Sequence, residues 1–201
     1  MCSSDPPSPD VESDDVALDE GLAGALEALS TRPRCRAFAA RAREQLQQCD
    51  AKLTSLLDIL ATRLDKQELT YQRQKAIAHE IHEGVGQNLQ AIVDSLRIIE
   101  HIDSDDLRER LAQAGPGASN QETRQQAALE ERLNLYDTHV EQMENLFTRN
   151  EEALTVLLKA ATALASLRSL DGKDVQLGAA LDDLTRLAER IAAQQPSRPP
   201  W

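Results

Sequence analysis

Residues 129–164 read LEERLNLYDTHVEQMENLFTRNEEALTVLLKAATAL and carry the strongest periodic pattern in the sequence. Apolar residues recur here at alternating steps of four and three, a heptad spacing that is typical of a helix packed against other helices. We call this row of positions the seam, and it predicts one long helix over about 121–169. Its members are Leu129, Leu133, Tyr136, Val140, Met143, Phe147, Asn150, Leu154, Leu157, Ala161 and Leu164.

Asn150 is the one polar residue of the seam. An asparagine buried at such a position commonly fixes the register and the number of helices, at some cost in stability. The alternative is that this turn of the helix faces solvent. We favour the register role.

The spacing of the prolines predicts a second long helix earlier in the chain. No proline lies between Pro33 and Pro116, and a proline inside a helix costs roughly 3 kcal/mol. We interpret a change of heptad phase after Leu60 as a stutter within one continuous helix over about 33–102. The two heptad segments are Leu46, Cys49, Leu53, Leu56 and Leu60, then Leu89, Ile92, Leu96 and Ile99.

Glycine, proline and short polar residues divide the rest of the chain. The run AGPGASN at 114–120 is the clearest break, and a short helix at 107–113 is predicted before it. A third helix is predicted over about 174–194. The predicted fold is therefore all-α: an elongated coiled coil over 31–195, with its two long helices in a hairpin or in a bundle with other chains.

The two ends of the chain carry little apolar surface. We expect residues 1–30 to form an acidic, largely disordered arm, with a possible short helix at 16–29 that is either a docking helix or a nascent one. Residues 196–201 are predicted to be a disordered tail. The basic run from Arg32 to Arg43 could contact an acidic partner or a membrane surface, but we favour a solvated helix face.

Charge and composition argue against several classes of function. The net charge of −12 argues against a nucleic-acid partner, because phosphate binding needs a concentrated basic surface. No stretch approaches the ~18 apolar residues of a membrane span. The three cysteines lack metal-ligand spacing and no apolar signal segment is evident, which predicts an intracellular setting, cytoplasmic or nuclear.

The stretch from His79 to Glu83 is the main candidate for chemistry. A zinc-protease helix needs histidines four residues apart, whereas His79 and His82 are three apart and no third ligand is evident. We therefore predict no metal, no cofactor and no enzymatic activity.

A wider stretch, Lys75 to Ile92, reads KAIAHEIHEGVGQNLQAI. It resembles the phosphoacceptor helix of one class of bacterial sensor histidine kinases. On that resemblance His82 would be the phosphorylated histidine, and Glu83 would stand where the activating acid stands. Gly86 and Gln87 match the Gly-Gln pair of that motif.

The match to the kinase helix is incomplete. His79 replaces the usual arginine, Glu83 replaces the usual aspartate, and nothing after Gly117 resembles an ATP-binding domain. The resemblance implies at most a histidine phosphotransfer and dimerisation module. Gly84 and Gly86 cost about 1 kcal/mol each inside a helix, and the other explanation is a bend or a closely approaching neighbour.

The order of one long helix, a loop, a second long helix and a short third resembles the coiled-coil region of the central-channel nucleoporins. Residues 98–102, reading IIEHI, and the segment from Arg132 to Phe147 echo patterns of that group. Phe-Gly repeats are absent. Small coiled-coil subunits of trafficking, ciliary and kinetochore complexes share the same general pattern.

These observations predict a non-catalytic scaffold subunit that assembles with other coiled-coil proteins in a hetero-oligomer, and possibly with itself. The alternative is the phosphotransfer module with His82 and Glu83. The predicted partner-binding residues are nine members of the seam: Leu133, Tyr136, Val140, Met143, Phe147, Asn150, Leu154, Leu157 and Leu164.

Overall fold

A computed structural model describes residues 11–113, 120–165, 182, 184–191 and 193, with the backbone alone for 11–20 and 120. Within this part every regular element is a helix, so the all-α class is confirmed. Five helices have defined bounds: α1 Val11–Ser30, α2 Arg36–Arg63, α3 Leu69–Ile99, α4 Ser104–Gln113 and α5 Asn120–Ala165. Residues 184–191 are also helical, and we call them α6.

The single helix predicted over 33–102 is wrong, because the chain turns at residues 64–68. Leu64 is extended, with φ −119° and ψ 150°. The Asp65 carboxylate then accepts the Gln67 backbone N–H at 2.9 Å, and the Asp65 carbonyl accepts the Glu68 N–H at 2.9 Å. An aspartate that bonds nearby backbone in this way offers the chain an alternative to the helix. The change of phase after Leu60 therefore marks a turn and not a stutter.

Helices α2 and α3 consequently run antiparallel. Cys35 Sγ, beside the start of α2, lies 3.6 Å from the Leu96 carbonyl oxygen near the end of α3. Further along the pair, His82 Nε2 lies 2.8 Å from Asp50 Oδ1. The sequence-predicted hairpin of two very long helices is replaced by this shorter one.

Helix α5 packs against both members of the α2–α3 hairpin. It runs parallel to α2, since Arg41 pairs with Glu144 at 2.7 Å and Arg63 donates to the Ala165 carbonyl at 3.4 Å. The three helices enclose an aliphatic core. Its largest fully buried side chains on these helices are Leu56, Leu60, Ile81, Leu89, Ile92, Leu96, Ile99, Met143, Phe147 and Leu154.

The N-terminal helix is present and packed. α1 extends over Val11–Ser30, beyond the short helix predicted at 16–29, and contacts both α2 and α3. Leu22, Leu26 and Leu29 are buried, so 21–30 are not part of a disordered arm. The predictions for 1–10, for 196–201 and for the break itself at 114–119 lie outside the described residues, as does most of the predicted helix over 174–194.

Helix α5 extends beyond the α2–α3 hairpin at its N-terminal end. Its His139 Nδ1 lies 3.3 Å from Ser95 Oγ, one turn before the end of α3. Residues 120–134 therefore project past α3, by roughly 22 Å at 1.5 Å per residue. We call this part of α5 the overhang. Beside its base lies α4, whose first turn is capped by Asp103 through the Asp106 N–H at 3.2 Å.

Gln74 on α3 offers a test of the core. Its side chain is 6% exposed, and its Oε1 has no hydrogen-bond partner in the described part of the chain. Because a buried unsatisfied polar atom costs about 1–3 kcal/mol, Gln74→Met should raise the free energy of unfolding by about 1 kcal/mol. Urea denaturation measures it. The exposed control Gln125→Met should change stability by less than about 0.5 kcal/mol, and a loss of stability in Gln74→Met would contradict the assignment.

Candidate functional site

The structure divides the predicted partner-binding seam into two parts. Six of its residues are buried inside the chain's own bundle: Met143, Phe147, Asn150, Leu154, Leu157 and Leu164. The other three, Leu133, Tyr136 and Val140, are half-buried. Because α3 folds back beside α2, the C-terminal part of the seam is covered from within the chain, and the N-terminal part retains accessible apolar surface.

Phe147 shows how closely the chain covers the buried part. The Phe38 ring on α2 stacks on it, with centroids 6.4 Å apart and planes 10° apart. The Arg41 guanidinium lies 4.2 Å from the Phe147 ring centroid and pairs with Glu144 at 2.7 Å. No room is left at this residue for a helix from another chain.

Asn150 lies at a buried position of the seam, as predicted. Its Nδ2 donates to Gln45 Oε1 on α2 at 3.1 Å, and its Oδ1 accepts Asn88 Nδ2 on α3 at 2.8 Å. Gln45 Nε2 donates in turn to the Phe147 carbonyl at 3.1 Å and to Glu151 Oε1 at 2.7 Å. Three helices are thus joined at one level by a polar cluster whose amides find partners.

The half-buried part of the seam belongs to the overhang and its base. Leu129 and Leu133 lie on the overhang and Tyr136 lies two residues after its end, and all three are half-buried. The Arg108 guanidinium of α4 lies 5.9 Å from the Tyr136 ring centroid, and Leu107 of α4 is buried. Leu135 is 46% exposed at the same end of the molecule.

A row of acidic residues flanks the seam at intervals of seven. It consists of Glu130, Asp137, Glu144 and Glu151. Each of them directly follows a seam residue. Asp137 pairs with Arg108 of α4 at 3.0 Å, Glu144 pairs with Arg41 of α2, and Glu151 accepts Gln45 of α2. Glu130 is exposed on the overhang.

His82 and Glu83 do not form a shared site. The His82 side chain is 12% exposed and its Nε2 faces the Asp50 carboxylate of α2 at 2.8 Å. Glu83 is exposed and accepts Gln87 Nε2 at 3.1 Å within α3. The described residues contain no group of three or more His, Cys, Asp or Glu side chains that could hold a metal ion.

Gly84 has a packing explanation. A Cβ atom added there would lie 2.5 Å from Ile191 Cγ2 of α6, so the missing side chain makes room for that isoleucine. Gly86 has nothing within 4 Å of such a Cβ. The close approach of Ile191 therefore explains Gly84, and no such neighbour explains Gly86.

The basic run from Arg32 to Arg43 serves contacts within the chain. Arg32 pairs with Glu100 at 3.3 Å, and Arg34 pairs with Asp103. Arg43 pairs with Glu27 of α1, and Arg41 with Glu144 as above. This run therefore joins the helices around it, and it is not simply a solvated face.

The cysteines and the membrane question give two further observations. Cys35 and Cys49 are buried and form no disulfide, and Cys49 packs in the core, as its place in the heptad segment of α2 predicts. Burial raises the pKa of the Cys35 thiol, and Glu100 raises it further against the opposing effect of Arg32 and Arg34. Among the described residues, no helix combines the length and apolar character that crossing a membrane requires.

The sequence reading missed Gln45 and Asn88, the partners of Asn150. Gln45 directly precedes Leu46 and Asn88 directly precedes Leu89, which are apolar residues of the heptad segments of α2 and α3. Nothing in the heptad pattern distinguishes the two amides from exposed polar residues.

Comparison with protein-family models, curated proteins and solved structures gives no match. The function is therefore inferred from the geometry of the chain.

The polar cluster predicts a measurable coupling. Asn150→Leu leaves the Asn88 and Gln45 amides without their partner and should cost about 1–3 kcal/mol of unfolding free energy. Gln45→Leu should cost a similar amount, and the double variant should lose less than the sum, by about 0.5 kcal/mol or more. A double-mutant cycle by urea denaturation measures this. Additive losses would contradict a shared cluster, and the exposed Gln47→Leu should be nearly neutral.

Proposed function

We propose that the protein is a non-catalytic subunit that assembles with helices of other coiled-coil proteins in a multiprotein complex. The observation that carries this proposal is the overhang, where within the described residues the seam continues past α2 and α3, with α4 packed against α5 near its base. Leu129 and Leu133 lie there half-buried. A helical end with an apolar stripe is stabilised mainly by packing against another element.

Two further apolar side chains are exposed near this end of the molecule: Leu135 of α5 is 46% exposed, and Ile98 at the end of α3 is 41% exposed. Leu135 lies two residues after Leu133, on a different face of the helix from the seam, so the proposal rests on Leu129 and Leu133. The heptad spacing of the overhang indicates that the bound element is a helix, packed as in a coiled coil.

The continuity of α5 relates the two parts of the seam. Its buried part, Met143 to Leu164, anchors the helix in the chain's own bundle. The overhang is the same helix one or more heptads earlier, so a partner bound there would be held at a fixed register to the bundle. This continuity supports the proposed role as a scaffold subunit.

The thiols support an intracellular setting. Cys35 and Cys49 are buried and form no disulfide, which suits a reducing compartment. The proposed assembly is therefore one of the cytoplasm or the nucleus.

Phosphotransfer through His82 is the competing hypothesis, with a local sequence resemblance as its support. The contacts of His82 do not add to that support. A phosphoryl group on Nε2 would bring negative charge to the atom that lies 2.8 Å from the Asp50 carboxylate, in a side chain that is only 12% exposed. We therefore favour assembly.

The double variant Leu129→Glu/Leu133→Glu tests the proposal. It should lose partners that copurify with the tagged chain from its native cells, because charges on the stripe oppose helix packing. Mass spectrometry identifies the partners. Circular dichroism should show the helicity retained, whereas charges at Phe147 or Leu154 would disrupt the core.

The matched control is Leu158→Glu, on the same helix and 53% exposed. It should leave the copurifying set unchanged. Unchanged recovery of partners by the overhang variant would show that the complex forms through another surface.

A further inference from the structure

The charges beside the seam define the chemistry of the partner, on the premise that the overhang is the assembly surface. In a heptad helix the two positions that flank the apolar seam, named e and g, carry the charges that select the partner and its orientation. Four consecutive e positions of α5 form the acidic row, Glu130, Asp137, Glu144 and Glu151, and the e position before them on the overhang is Thr123. The g positions on the overhang are Gln125 and Arg132.

Inside the chain, three members of the acidic row meet a nitrogen donor from a neighbouring helix. Arg108 meets Asp137 at 3.0 Å, Arg41 meets Glu144 at 2.7 Å, and Gln45 Nε2 meets Glu151 at 2.7 Å. The rule along the covered part of α5 is therefore that each e-position carboxylate faces a donor on the element that packs beside it.

Glu130 continues this row onto the overhang. It is exposed, and within the described residues its side chain has neither an ion pair nor a hydrogen bond. Arg132, on the other flank of the same turn, is exposed and likewise without a charged partner in that part of the chain. We propose that the overhang binds an amphipathic helix of another protein, which presents a lysine or arginine to Glu130 and an aspartate or glutamate to Arg132.

A second copy of this chain does not fit these charges. In an antiparallel pair, e positions face e positions, so Glu130 and Asp137 would face acids of the same row. In a parallel pair in register, Glu130 would face Gln125, and Arg132 would face Asp137, which Arg108 already holds. Like charges placed opposite each other disfavour pairing.

Two synthetic helical peptides of three heptads test the proposal with the full-length chain. Both have leucine at the seam positions and a fluorescent label. One carries lysine at e and glutamate at g, so that in an antiparallel pair its lysine faces Glu130 and its glutamate faces Arg132. The other carries glutamate at both positions. Fluorescence anisotropy at low salt should show the first binding about threefold or more tighter than the second, with the difference shrinking as salt screens the charges.

The variant Glu130→Lys should reverse the order of the two peptides, because both flanks of the overhang are then cationic. Glu131→Lys is the matched control, since it makes the same charge change one residue away on an exposed position pointing away from the seam. It should keep the wild-type order.

Equal affinities for the two peptides, or binding of neither, would overturn the charge assignment. A chain that sediments as a stable dimer would overturn the choice of a foreign partner. Either result is compatible with a loss of cellular partners in the variant Leu129→Glu/Leu133→Glu. In that case the proposal of assembly through the overhang would stand, and only the charge assignment or the choice of partner would be wrong. The two proposals therefore fail separately.

Discussion

The hydrogen bonds of Asn150 fix how three helices meet. Asn150 binds Gln45 on α2 and Asn88 on α3 at one buried level of the bundle. A shift of α5 by a single heptad would place an apolar residue opposite these amides and leave them unsatisfied, at a cost of about 1–3 kcal/mol for each buried group. Aliphatic packing alone tolerates such shifts far better. The register of α5 therefore depends on this cluster.

The position of the overhang follows from that register. With Asn150 opposite Asn88, His139 lies opposite Ser95 near the end of α3, and everything before about residue 135 extends past the hairpin. The ion pairs on the outside of the bundle agree with this alignment, since Arg41 meets Glu144 and Arg108 meets Asp137. These exposed pairs add little stability on their own. Their contribution is to agree with the register that the buried amides set.

The sequence predicted the all-α class, the seam of α5 and the buried place of Asn150, because each is a matter of local periodicity. It did not predict the turn at 64–68, since a change of heptad phase looks the same whether a helix continues through it or folds back. The difference lies in Asp65, which binds the backbone of its own turn. The turn brings α3 back beside α2, and these two helices cover the C-terminal part of the seam. The spacing of apolar residues along the sequence therefore could not predict which part of the seam is buried. The glycine at position 84 is likewise explained by a residue distant in sequence, Ile191, which packs where a Cβ atom would lie.

Amide hydrogen exchange on the isolated chain, resolved along α5, separates its two parts. Amides of 143–164 should exchange only through global unfolding, at the rate of those in the buried parts of α3, because the chain covers them itself. Amides of the overhang, 120–134, should exchange orders of magnitude faster, because few buried contacts hold them. Equal protection along the whole of α5, or early exchange at 143–164, would contradict the division of the seam between the chain's own core and a partner.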